Sequence, residues 1–149
     1  MKQNFDACLA ELWEAEGGYS DHKLDPGGAT KYGITIDTLR SWRGKPVTKS
    51  DVQVLTRDEA ARIYKAWYWS PLRCDDLPSG LDAVGFDAAV NSGPMRAAKW
   101  LQGALGVTAD GKIGPATISA AAKSNVPSVI DRALDARLAS MRTFKDAKG

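Results

Sequence analysis

Five glycines and a proline fall within residues 17–33 (Gly17, Gly18, Pro26, Gly27, Gly28, Gly33), and no helix can be drawn through such a stretch. The break comes directly after a helical pattern. Phe5, Leu9, Leu12 and Trp13 recur at helical intervals, which predicts an amphipathic helix that Gly17 and Gly18 bring to an end. Glu16 lies four residues past Leu12 and seven past Leu9, so it continues the apolar stripe, whereas Glu11 and Glu14 fall off it and belong to the solvated face. The run Asp25-Pro26-Gly27-Gly28-Ala29-Thr30-Lys31-Tyr32-Gly33-Ile34-Thr35 is strong turn chemistry. It predicts a small irregular or β-hairpin lobe over residues 17–36, folded back so that Asp25 and Thr30 face the helix end.

A carboxyl group on an apolar stripe is desolvated, and desolvation disfavours its charged form. Glu16 is therefore expected to titrate above the reference value of about 4.3 and to hold a proton near neutral pH. Such an acid can protonate a glycosidic oxygen if a second polar group steers water or stabilises the oxocarbenium-like transition state. Asp25, nine residues on, is the nearest candidate. The plainer alternative is a glutamate that caps or bridges and an aspartate that only starts a turn.

The string E-G-G-Y followed by D-P-G-G-x-T-x-x-G-I-T resembles the N-terminal signature of glycoside hydrolase family 108, the phage and bacterial N-acetylmuramidases. The resemblance implies a lysozyme-like fold and Glu16 as the catalytic acid, with Asp25 and either Thr30 or Thr35 orienting the attacking water. It further implies that Tyr19, Tyr32, Thr35, Trp69 and Asn91 bind substrate. No metal and no organic cofactor is implied. The partner it implies is bacterial peptidoglycan, without nucleic acid or stable membrane insertion, and the protein is expected to be a monomer.

A chain of 149 residues with 44% hydrophobic content can bury a real core but leaves no room for a large second domain. Residues 1–90 carry 11 basic and 14 acidic side chains, and residues 91–149 carry 9 and 4. The second stretch is net positive and would suit an anionic polymer (cell wall, nucleic acid or lipid headgroups), although a solvated surface explains it equally well. No stretch has the apolar length of a membrane span, and residues 1–20 lack a basic region followed by a hydrophobic run. The expected route is synthesis in the bacterial cytoplasm and action on the periplasmic cell wall after release through a holin or a secretion system. Cys8 sits beside the apolar stripe and reads as a buried free thiol, with a Cys8–Cys74 disulfide as the alternative. The single histidine, His22, is too little for zinc and reads as a surface loop residue.

Thr56-Arg57-Asp58-Glu59 reads as a capping box opening a helix through Ala60, Ile63, Tyr64 and Trp67, stopped by Pro71. Tyr64, Trp67, Tyr68 and Trp69 divide between core and sugar platform, with Trp69 chosen for the cleft. The segment 80–93 is a small-residue helix that neighbours can approach closely, and Asp87 and Asn91 share one of its faces. Those two need partners, in a buried network, in a substrate, or on a neighbouring element that Asp87 braces. Leu105 to Thr117, L-G-x-x-x-D-G-x-I-G-P-x-T, resembles the turn-and-helix signature of peptidoglycan-binding modules. In physical terms Asp110-Gly111 makes a tight turn and Pro115 opens a helix. A final amphipathic helix carries Val129, Ile130, Ala133, Leu134, Leu138, Met141 and Phe144 on the side expected to close the core.

The fold expected is thus mainly α and lysozyme-like, with the small lobe at residues 17–36 and a cleft between lobe and helices. Residues 1–92 would form the catalytic region and residues 93–149 a peptidoglycan-binding-like region packed in the same unit. The reaction expected is hydrolysis of the β-1,4 bond between N-acetylmuramic acid and N-acetylglucosamine, with inversion, because a positioned water needs no covalent intermediate. Two rivals are a lytic transglycosylase and a non-catalytic wall-binding protein.

Overall fold

The structure, a computed structural model, describes residues 1–16, 18–21 and 28–148, with the side chains of residues 16 and 143–148 outside the description. Among the described residues there are eight α-helices and one three-stranded sheet, the mainly α architecture expected. None of these helices is long and apolar enough to cross a membrane. The chain packs as two compact units, Asp6–Lys65 and Met1–Phe5 with Ala66–Gly149.

The Asp6–Lys65 unit contains most of α1 (Phe5–Glu16), then β1 (Ser20–Asp21), β2 (Ala29–Lys31), β3 (Ile34–Thr35), α2 (Ile36–Arg43), α3 (Lys49–Gln53) and α4 (Arg57–Tyr64). Helix α1 ends at Glu16 as the glycines predict, with Leu9 buried and Glu11 and Glu14 exposed. Where the sequence suggests a hairpin, three strands form in the order β1-β2-β3, both pairs antiparallel. At the tip between β2 and β3, Tyr32 and Gly33 both have positive φ (54° and 77°), as a two-residue turn of the I′ kind requires. Glycine adopts that conformation freely. Tyr32 does so at a cost of roughly 1 kcal/mol and is held there: its carbonyl accepts a 2.7 Å bond from the Tyr64 hydroxyl, and its ring lies 5.2 Å from that of Trp13.

The capping box is not where the sequence places it. Thr56 does cap α4, accepting from the Glu59 N–H at 3.1 Å, but the Glu59 carboxylate turns away to Arg43, which grips it with two bonds of 2.9 and 2.8 Å. A bidentate guanidinium outcompetes a single backbone N–H, and this contact holds the Glu59 carboxyl below its ordinary range. The complete capping box is at α3, where Thr48 and Asp51 bond each other's backbone N–H groups. Helix α4 also stops short of Trp67: a π-turn follows over Lys65–Trp69 and a 3-10 turn over Ser70–Leu72, which contains Pro71.

In the second unit, a 3-10 turn at Lys2–Asn4 precedes α5 (Leu81–Ser92), α6 (Pro94–Leu105), α7 (Pro115–Ala122) and α8 (Val126–Lys148). The rings of Phe5, Trp69 and Phe86 form a closed edge-to-face cluster with centroids 5.1 to 6.0 Å apart. Close approach to α5 is real: a Cβ on Gly85 would come within 3.0 Å of Leu72. Asp82, fully buried, accepts from the Met1 ammonium (2.6 Å), Asn4 (2.8 Å) and the N–H groups of Gly80 and Ala83. Burial pushes its carboxyl up, but the ammonium, Asn4 and the two backbone donors together leave it below its ordinary range. The Asp110-Gly111 turn is organised from beneath by buried Gln102, whose amide bonds Asp110, the Lys112 carbonyl, Thr117 and the Gly111 N–H. Helix α8 closes the core with only part of its apolar side. Val129 and Ala133 are buried, but Leu134, Leu138 and Met141 are exposed; the Phe144 side chain lies outside the described residues.

Neither cysteine is in a disulfide; Cys74 is buried, and Cys8 is half-buried rather than buried.

Candidate active site

Register in the small sheet decides which side chains share a face. Cross-strand partners point the same way, so Asp21 and Ala29 lie on one face together with the Lys31 and Ile34 pair. That face is covered by α3. Ala29 and Ile34 are buried, Asp21 pairs with Lys49 at the start of α3 (3.1 Å), and the Lys31 ammonium donates to the Gln53 carbonyl at its end (2.6 Å). Ser20, Thr30 and Thr35 are paired across the three strands and occupy the other face, so three hydroxyl side chains stand in one row. All three are half-buried.

The hydroxyls differ in their commitments. That of Thr35 caps α2, accepting from the Thr38 N–H at 3.1 Å and donating to the Thr38 hydroxyl at 3.0 Å. Among the described residues, the hydroxyls of Ser20 and Thr30 make no hydrogen bond. Each can therefore both donate to and accept from a water or a sugar. Glu16 is the last residue of α1 and Ser20 opens β1 four residues on. The Glu16 side chain, Asp25 and His22 lie outside the described residues.

Of the residues expected to bind substrate, Tyr19 is exposed beside β1. Tyr32 is half-buried, and its ring is flanked by Trp13, by the Lys31 ammonium at 5.3 Å and by the Arg57 guanidinium at 5.7 Å, so it is an element of packing as well as of the loop. Trp69 does not line a cleft. It has no exposed surface, its indole N–H donates to Asp75 at 2.8 Å, and its ring is enclosed by Phe5 and Phe86. The π-turn rotates it into the core, and the half-buried rings of that segment are Trp67 and Tyr68. Asn91 is exposed and donates back to the carbonyl and carboxylate of Asp87, which is itself bound by Arg137 of α8 at 2.8 Å. The pair thus braces α8 against α5, the third of the alternatives above.

Ser20, the residue that sequence reasoning passed over, follows E-G-G-Y directly. Its significance depends on strand register, which a glycine-rich stretch does not disclose.

The family model described as Glycosyl hydrolase 108 matches residues 9–93, and one described as Predicted Peptidoglycan domain matches residues 96–143. The first match runs through the Lys65 to Ala66 packing boundary, so it draws on both compact units. Among solved structures the chain is similar to Brucella abortus SagA, with 44% identity, a TM-score of 0.87, and coverage of 95% of this chain and 82% of that one. No curated protein matches. The chain belongs to glycosyl hydrolase family 108 and is a glycosidase of peptidoglycan.

Proposed function

We propose that the protein is an N-acetylmuramidase that hydrolyses the β-1,4 bond between N-acetylmuramic acid and N-acetylglucosamine. Glu16 is the general acid and gives its proton to the glycosidic oxygen as the bond to the anomeric carbon breaks. Asp25 accepts a proton from the water that attacks that carbon from the opposite face, and the Thr30 hydroxyl orients this water. The anomeric configuration inverts. The observation that supports the reading most is the sheet's hydroxyl face. Thr30 is uncommitted there while Thr35 is spent on capping α2, which favours Thr30 for the water. The role of Asp25 rests on the D-P-G-G motif.

In the same reading residues 1–92 supply the catalysis and residues 93–149 hold the wall. The protein acts as a monomer on periplasmic peptidoglycan after release through a holin or a secretion system. Glu16→Gln tests the assignment. The variant is expected to keep the wild-type melting temperature and to release no reducing sugar from purified cell wall; near-normal release would refute it.

A further inference from the structure

Ser20 carries an unassigned hydroxyl on the face that bears Thr30. The two residues are direct cross-strand partners in the β1–β2 pair, which sets their Cβ atoms about 4.5–5.5 Å apart with side chains pointing the same way. A water hydrogen-bonded to a hydroxyl sits about 2.7–2.8 Å from its oxygen, so one water spans two hydroxyls at this separation. The other face of the sheet is closed by α3 through Asp21–Lys49 and Lys31–Gln53. The row lies on the face that α3 does not cover. At its far end Thr35 is turned to Thr38, which leaves Ser20 and Thr30, both half-buried, as the pair whose hydroxyls make no hydrogen bond among the described residues.

We propose that Ser20 is a second positioning hydroxyl for the hydrolytic water, gripping it jointly with Thr30. This rests on the hydrolytic reading above, in which Thr30 orients the water. Two hydroxyls fix the water in two directions where one leaves it free to swing. Because the grip acts on the nucleophile and not on the saccharide, its loss lowers kcat and leaves KM unchanged.

The test uses the full chain on a defined disaccharide-peptide polymer, with products identified by mass. Ser20→Ala is expected to lower kcat about five- to tenfold, the equivalent of one hydrogen bond, with KM and melting temperature unmoved, and Ser20→Thr is expected to restore most of the rate. The effects of Ser20→Ala and Thr30→Ala are expected to be non-additive, because one water serves both. Wild-type kcat in Ser20→Ala, a rise in KM alone, or strict additivity with Thr30→Ala would overturn the proposal while leaving the hydrolytic reading in place. Anhydro-muramyl products from the wild type would instead remove the hydrolytic reading and, with it, any water for Ser20 to hold.

Discussion

Removing the Thr35 hydroxyl separates helix capping from the water-orienting role proposed for Thr30. In Thr35→Ala the N-cap of α2 loses its acceptor for the Thr38 N–H (3.1 Å) and its bond to the Thr38 hydroxyl (3.0 Å). Loss of an N-cap threonine costs about 1 kcal/mol. The second bond adds only a few tenths, because the half-buried Thr38 hydroxyl turns to water instead. The sum, about 1–1.5 kcal/mol, lowers the melting temperature by roughly 2–6 °C in a chain of this size. Well below that temperature the folded population is unchanged, so kcat stays within about twofold of wild type. Thr30→Ala does the reverse: no internal hydrogen bond is lost, the melting temperature moves by less than about 0.5 kcal/mol would shift it, and kcat falls by about a hundredfold. Circular-dichroism melts alongside reducing-end release on a soluble muropeptide read both quantities. A Thr35→Ala protein with the wild-type melting temperature and a hundredfold loss of kcat would refute the division of labour along the hydroxyl row.

Trp69→Ala is expected to cost about 3–5 kcal/mol by emptying the Phe5 and Phe86 cluster, read as a lower urea midpoint. Trp69→Phe, which removes the donor to exposed Asp75 and part of the ring volume that fills the cluster, is expected to cost about 1–3 kcal/mol; weaker saccharide binding at an unchanged midpoint would show that Trp69 serves the substrate after all. The folded-state pKa of Asp82 is lowered. Its contribution is therefore complete above the unfolded value of about 3.9 and is lost as pH falls through the lower folded value. Asp82→Asn should flatten that acid limb in urea midpoints measured from pH 2 to 5. Gln102→Leu strips the Asp110-Gly111 turn of its buried support and is expected to cost about 2–4 kcal/mol, with loss of amide-exchange protection at Gly111 as the local readout.

Features set by local rules were legible in the sequence. The α1 stripe and its end at Glu16, the Thr56 cap, the Asp110-Gly111 turn and Pro115 at the start of α7 each depend on a few neighbouring residues. What escaped depends on distant partners. Glu59 has capping-box spacing, yet Arg43, sixteen residues away, takes its carboxylate. Trp69 sits in an aromatic run where half the rings face out, and only the π-turn decides which half it joins. Asp82 in an apolar helix gives no hint of the ammonium it will hold, nor Leu138 and Met141 of how little of α8 its neighbours would cover. The hydroxyl row is the extreme case: Ser20, Thr30 and Thr35 are ordinary turn-forming residues until register lines them up.

The central claim is that water is the nucleophile, with Glu16 supplying the proton. Digestion of a defined muropeptide in oxygen-18 water, followed by mass spectrometry of the products, tests it most directly. The account predicts one heavy oxygen at each new N-acetylmuramic acid reducing end from the wild type and no product from Glu16→Gln. Unlabelled anhydro-muramyl ends, or labelled product from Glu16→Gln at a near-normal rate, would contradict it.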